Sequence, residues 1–99
     1  MENPAEKTFE ELYRETCEDA QMVSTGSWHR YMEMLTGWRD EAYEAHVGCM
    51  SNNPNVERSF KQRFLQREAV VRGSQAWAEN AIRNRDSMTK EIQEEIESA

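Results

Sequence analysis

The sequence predicts an all-α fold, an elongated antiparallel helical hairpin of the coiled-coil type. Seven hydrophobic or small residues in the first half of the chain follow one another at alternating steps of three and four: Trp28, Tyr31, Leu35, Trp38, Ala42, Ala45 and Cys49. This spacing is typical of a packing seam, the stripe of residues that a helix turns toward a neighbouring helix. A second long helical pattern follows the polar run 51–55, which is rich in turn-forming residues. We therefore expect one helical domain, residues 1–99, that folds back on itself.

The first rod of the hairpin is expected to consist of two helices, with a break near residues 24–27. The first helix should extend over about residues 8–23, because Thr8 and Glu11 form the T-x-x-E pattern of a capping box. Serine, threonine and glycine at the break favour caps and turns. The second helix should extend over about residues 27–48.

The second rod is expected to be one long helix, at about residues 55–97, after a turn at residues 49–54. Gly48 is a suitable terminator for the preceding helix. Asn53 is a suitable N-cap, and Pro54 then stands at the first helical position, where its missing N–H costs nothing. A helix of this length would extend about 65 Å at 1.5 Å per residue.

The packing seam of the long helix is expected to include Phe60, Phe64 and Val71. Polar residues also stand where an ideal heptad pattern is apolar, and these are Arg67, Ser74 and Arg85. Only 37% of the chain is hydrophobic, so the core should be a single thin stripe. A hairpin with so little burial is marginally stable alone, which predicts a homo-oligomer or docking on a larger partner.

Negative charge is concentrated at the two ends of the chain. Residues 1–20 carry seven acidic and two basic side chains, and residues 86–99 carry five acidic and one basic. The hairpin brings these ends together, where they repel one another unless a basic surface or counterions neutralise them. The overall charge of -7 disfavours binding to nucleic acid or to an anionic membrane.

Several side chains are candidates for contact with a protein partner, because a thin hairpin cannot cover every aromatic residue, methionine or charge. Arg63 and Arg67 are expected either to pair with Glu41 or Glu44 across the hairpin or to form a patch for an acidic partner. The full set of candidate contacts is Trp77, Tyr43, Met32, Arg63, Arg67, Glu91, Glu94 and Glu95.

The sequence contains no recognisable catalytic, cofactor or metal motif. His29 and His46 lack the convergent ligands that a metal site needs, and Cys17 and Cys49 form no C-x-x-C unit. We therefore expect a protein without enzymatic activity or cofactor and with reduced cysteines. Residues 1–7 are expected to form a polar arm without the features of a signal peptide, and no apolar run is long enough to span a bilayer. This predicts synthesis in a reducing cytoplasm.

The layout of residues 28–85 resembles that of small helical-hairpin proteins encoded among the head and tail assembly genes of tailed phages and prophages. The resemblance lies in Trp28 at the start of a heptad helix, the turn at 51–55, and the segment 63–73, RFLQREAVVRG. It implies a non-enzymatic virion or assembly component that docks on a capsid, portal or tail and is incorporated in the virion. The acidic ends support an alternative, a soluble regulatory protein that inhibits a basic host protein by binding it.

Overall fold

A computed structural model describes residues 6–99 and shows three α-helices in this part of the chain, without a strand. They are α1 (Phe9–Val23), α2 (Gly26–Val47) and α3 (Pro54–Ser98). The predicted all-α class is confirmed, and each helix begins and ends within two residues of its expected bounds. Most of the polar arm predicted for residues 1–7 lies outside the described residues.

Both predicted N-caps are present, and each satisfies a backbone donor that the first turn of a helix leaves free. The Thr8 hydroxyl accepts a hydrogen bond from the Glu11 N–H at 3.2 Å. The Asn53 side-chain oxygen accepts one from the Asn55 N–H at 2.9 Å. Pro54 is the first residue of α3, as expected. Local side-chain chemistry therefore determines where α1 and α3 begin.

The break between α1 and α2 consists of Ser24 and Thr25 alone, and is narrower than the sequence indicates. The Ser24 hydroxyl donates to the Gln21 carbonyl at 2.7 Å, and the Thr25 hydroxyl donates to the Met22 carbonyl at 2.7 Å. These bonds satisfy carbonyl groups that the end of α1 would otherwise leave free. Gly26 already belongs to α2.

The C-terminus of α2 differs from the glycine cap that the sequence predicts. Gly48 follows the helix directly, but its N–H still makes a helical bond to the Glu44 carbonyl at 2.9 Å. No glycine among the described residues has a positive φ, so the left-handed cap is absent from this part of the chain. The helix ends instead ahead of the run 51–55, whose side chains bond to nearby backbone groups.

One compact unit comprises Gly26–Ala76 and contains α2 and the first part of α3. The two helices are antiparallel, because Trp38 of α2 meets Arg67 and the later residue Tyr43 meets the earlier residue Phe64. The Tyr43 and Phe64 ring centroids are 5.3 Å apart. The predicted hairpin is therefore present in this unit.

The other compact unit comprises Trp77–Ala99 and the described residues up to Thr25. Here α1 packs against the C-terminal part of α3, as the folded-back chain predicts, and the Tyr13 hydroxyl lies 2.9 Å from the Thr89 hydroxyl. The buried residues of this unit are Ala20, Ala78 and Ala81. The fully buried side chains described in this unit are therefore all methyl groups.

None of the helices within residues 6–99 combines the length and the hydrophobicity that crossing a membrane requires.

Candidate interaction surfaces

Four members of the predicted α2 seam face inward. They lie one heptad apart and are buried or half-buried: Trp28, Leu35, Ala42 and Cys49. Leu35 and Ala42 are the two buried residues of the helix. The seven-residue repeat therefore identifies this part of the seam correctly.

The three intervening members of the predicted seam do not face inward. Tyr31 is 42% exposed, Trp38 is 39% exposed, and Ala45 is also exposed. The residues that take their places lie one position later and are half-buried: Met32, Arg39 and His46. Counted from Trp28, the seam of α2 thus alternates steps of four and three residues. The predicted series starts from Trp28 with a step of three, and this order is wrong.

Side-chain size and shape account for the outward positions of Tyr31 and Trp38, whereas they do not explain why Ala45 is exposed and His46 is half-buried. Bulky rings at Tyr31 and Trp38 would hold two helices apart at a seam that is centred on Ala42. At the rim, the same rings cover apolar surface while their polar groups remain in water. Arg39 suits the seam because its stem can be covered while its guanidinium reaches Asp40 at 3.2 Å. Met32 is consequently half-buried, whereas the sequence predicts a contact with a partner at this position.

The seam of α3 in the same unit agrees with the prediction. Phe60 and Phe64 are half-buried, and Val71 is completely buried. Arg67 and Ser74, the polar residues at ideal heptad positions, are half-buried as well. The seam is therefore continuous along α3, although two of its members are polar.

Arg67 connects α3 to α2 by two contacts with one residue. Its guanidinium donates a hydrogen bond from Nη1 to the Trp38 carbonyl at 2.7 Å and lies 4.7 Å from the centroid of the Trp38 ring. Among the described ion pairs, none joins Glu41 or Glu44 to an arginine. The expected interhelical ion pair is thus replaced by a contact between a cation, a carbonyl and a ring.

Three other predicted partner contacts lie at the surface. Tyr43 is 51% exposed although it packs on Phe64, and Trp77 is 40% exposed. Arg63 is exposed, with its guanidinium 5.6 Å from the centroid of the Phe60 ring. These residues are accessible to another molecule, and their role as contacts stays a prediction.

The acidic residues proposed as contacts, Glu91, Glu94 and Glu95, are also exposed. Lys90 lies 4.0 Å from Glu94, so this pair is long and surrounded by water. The acidic residues of α1 belong to the same compact unit as this C-terminal group. The predicted concentration of negative charge therefore falls within one unit.

A single lysine offsets part of this charge where α1 begins. The Lys7 ammonium lies 2.8 Å from both carboxylate oxygens of Glu15. The hydrogen bond and the negative charge of Glu15 raise the pKa of Lys7 above its ordinary value. The pair is exposed to water, so it contributes little to stability.

The described residues have a small core and a large apolar surface. Six hydrophobic residues are buried, and four of them are alanines: Ala20, Leu35, Ala42, Val71, Ala78 and Ala81. Fifteen large hydrophobic side chains are exposed. Single exposed residues are ordinary, whereas adjacent ones on one side of a helix form a continuous apolar patch. Tyr31, Met34 and Trp38 form such a group, because residues three and four apart are neighbours on a helix.

Polar residues among the described side chains do not assemble into a reactive group. No cluster of three or more histidine, cysteine or acidic residues within 6–99 is arranged to hold a metal ion. A shallow groove between α2 and Gln75 of α3 is lined by His29, Glu33 and Asp40, whose side chains are exposed to water. His46 Nδ1 is buried in the seam without a hydrogen-bond partner.

No family model, curated protein or solved structure matches this chain.

Proposed function

We propose that the protein is a non-enzymatic structural or assembly protein that docks on a larger oligomer through its helical surfaces. The observation that carries this proposal is the group of adjacent exposed side chains on α2: Tyr31, Met34 and Trp38. Leaving such large apolar groups in water is unfavourable, and their burial by a partner recovers that free energy. A core composed mostly of alanine supplies little stability to offset it.

The proposal extends to a virion-associated component of a phage or prophage, with a capsid, portal or tail as the larger oligomer. The layout of residues 28–85 supports this extension through its resemblance to small helical proteins of head and tail gene regions. In this proposal the protein is made in the host cytoplasm and becomes part of the virion.

The test is to produce the chain together with the proteins encoded by neighbouring genes and to separate the assemblies by sedimentation. We expect the chain to sediment with a capsid, portal or tail protein. Met34→Glu should release it into the slow fraction, because a carboxylate at this position would be buried at the interface. The matched control is Val47→Glu, another exposed apolar residue of α2, which lies four residues from Tyr43. A chain that sediments alone in every combination would argue against the proposal.

A regulatory binder of a basic host protein is the second candidate. It is favoured by the exposed carboxylates of Glu91, Glu94 and Glu95, which lack a close ion pair within the described residues. Such a complex should weaken steeply as salt is added, since exposed charges are screened. A single basic protein captured at low salt and lost at high salt, and lost also with E91Q/E94Q/E95Q, would favour this function. Binding that persists at high salt and in the triple variant would exclude it.

A further inference from the structure

One side of the hairpin unit Gly26–Ala76 carries a group of apolar residues that we call the Trp38 face: Tyr31, Met34, Trp38 and Val70. Met34 is 61% exposed and Val70 is 44% exposed. Arg67 reaches Trp38, so these two residues mark the same side of the two helices. Val70 follows Arg67 by three positions and lies on that side as well. Both helices therefore contribute to one surface.

Apolar residues occupy a wider part of the circumference of α2 than α3 covers. Its inward positions are occupied by residues such as Met32 and Leu35, and the adjacent positions hold Tyr31, Met34 and Trp38. A helix with one neighbour needs only a narrow apolar stripe, whereas a helix within a bundle has apolar residues along a second line as well. The pattern of α2 is that of a helix with two neighbours, and the unit Gly26–Ala76 supplies one of them.

Charge indicates which helix the second neighbour is. Helix α2 carries four acidic and two basic side chains, whereas the segment 54–76 of α3 carries two acidic and five basic ones. An α2 helix is thus complementary to the first part of α3. Stacking α3 on a copy of itself would instead bring two basic segments together. The most complementary second neighbour that the chain itself offers to α2 is therefore the first part of α3 in a second copy.

A two-fold axis parallel to the helices achieves this pairing in both directions. Such an axis places α2 of each copy over α3 of the other without any shift along the helices. Within one copy, Trp38 is level with Arg67 and Tyr43 is level with Phe64. At 1.5 Å per residue, Met34 then comes within about 3 Å, measured along the axis, of Val70 in the second copy.

The same rotation brings opposite charges together. Glu41 comes within about 3 Å, measured along the axis, of Arg63 in the second copy. Neither of these residues has an ion pair among those described, so both are available. The apolar contact and the charge contact therefore agree on one arrangement.

We propose that a second copy of this chain docks on the Trp38 face about a two-fold axis parallel to α2, with Met34 against Val70 and Glu41 paired with Arg63 across the interface. This inference deepens the proposed assembly function and rests on it: the second copy is the first partner that covers Tyr31, Met34 and Trp38, and the dimer formed in this way is the unit that docks on the larger oligomer. The product is a four-helix arrangement in which each α2 contacts one α3 within its own copy and one in the other.

The test is to measure the molar mass of the full chain by size-exclusion chromatography with light scattering over a series of concentrations. The wild type should have twice the 11.7 kDa mass of one chain. Met34→Glu and Val70→Glu should each reduce the mass to that of one chain. The matched controls are Val47→Glu and Leu65→Glu, which change residues of the same helices that are 64% and 50% exposed and lie near the opposite, Tyr43 side. These controls should leave the mass unchanged.

Charge reversal tests the pairing directly. Glu41→Arg and Arg63→Glu should each cause loss of the dimer, and the double variant E41R/R63E should restore it. Circular dichroism on every variant confirms that the helices are retained. A monomeric wild type, a dimer that survives Met34→Glu, controls that dissociate equally, or a double variant that stays monomeric would each overturn the inference. A monomer that still sediments with a larger oligomer would overturn this inference alone, whereas a dimer that sediments with none would overturn only the docking on a larger oligomer.

Discussion

Replacement of Arg67 by alanine is expected to lower the free energy of unfolding by about 2 kcal/mol. A hydrogen bond from a charged donor contributes about 1.5–3 kcal/mol, and the lower end applies here because the side chain is half-buried. The contact between the guanidinium and the Trp38 ring adds about 0.5–1 kcal/mol. The Trp38 carbonyl lies within α2, where a helical N–H also bonds to it. Arg67→Ala therefore leaves no unsatisfied carbonyl, and no further loss of stability is added.

Arg67→Lys is expected to recover part of this loss and to remain about 1 kcal/mol less stable than the wild type. A planar guanidinium can stack on a ring and donate to a carbonyl at the same time, whereas an ammonium group cannot do both in this geometry. The two substitutions therefore separate the contribution of the positive charge from that of the planar group.

The assay is urea unfolding followed by circular dichroism, with every variant at the same protein concentration because self-association would add to stability. A double-mutant cycle of Arg67→Ala with Trp38→Leu should give a coupling of about 0.5–1 kcal/mol. Glu44→Gln serves as the control and should show no coupling to Arg67. Additivity of the Arg67 and Trp38 substitutions within about 0.3 kcal/mol would refute the ring contact. Coupling between the Arg67 and Glu44 substitutions would instead indicate the interhelical ion pair that the sequence predicts.

Three further substitutions test other features in the same unfolding assay. Gly37→Ala should raise the free energy of unfolding by about 0.5–1 kcal/mol, because a Cβ here meets no atom within 4 Å and alanine favours the helix; a loss of stability would show that the site is not open. His46→Leu should raise it by about 1 kcal/mol, because the substitution removes a buried nitrogen that has no partner; a decrease would indicate that the imidazole makes a contact of its own. Asn53→Ala should lower it by about 1 kcal/mol through loss of the bond to the Asn55 N–H, with Asn53→Asp as the conservative control, and an unchanged value would mean that the cap contributes nothing.

The helices were predictable because their ends depend on local chemistry. Thr8 and Asn53 cap helices through backbone N–H groups two or three residues away, and Pro54 fits only the start of a helix. These interactions need no knowledge of the tertiary structure. The same locality explains why the break at residues 24–25 was found, although not its width.

The seam of α2 was less predictable because it depends on how closely two helices approach. Hydropathy alone ranks Tyr31 and Trp38 above Arg39 and His46 as inward residues. The structure reverses this order, since the flexible stem of Arg39 fits between closely packed helices and the rings of Tyr31 and Trp38 fit at the rim. The sequence around Ala42 fits a seam with either order of the three-residue and four-residue steps. It therefore does not determine which of the intervening residues face inward.

The contacts of Arg67 were not predictable for a related reason. Sequence reasoning pairs an arginine with the nearest carboxylate, such as Glu41 or Glu44, and gives no weight to a main-chain carbonyl. The proximity of Met34 to Val70 was not predictable either, because it depends on the register of the two helices. The signal that could have revealed the Trp38 face is the second apolar line along α2, at Tyr31 and Trp38.

The alanine core of the unit that contains α1 has a consequence for local unfolding. An alanine side chain removes far less area from water than a leucine, so the fully buried residues Ala20, Ala78 and Ala81 contribute little free energy to the packing of α1. The hydroxyl contact between Tyr13 and Thr89 adds a modest amount. Segments with few buried contacts open first, and their amide protons then exchange with solvent sooner. We therefore expect α1 to open before α2 does, which would expose the C-terminal part of α3 while α2 stays folded.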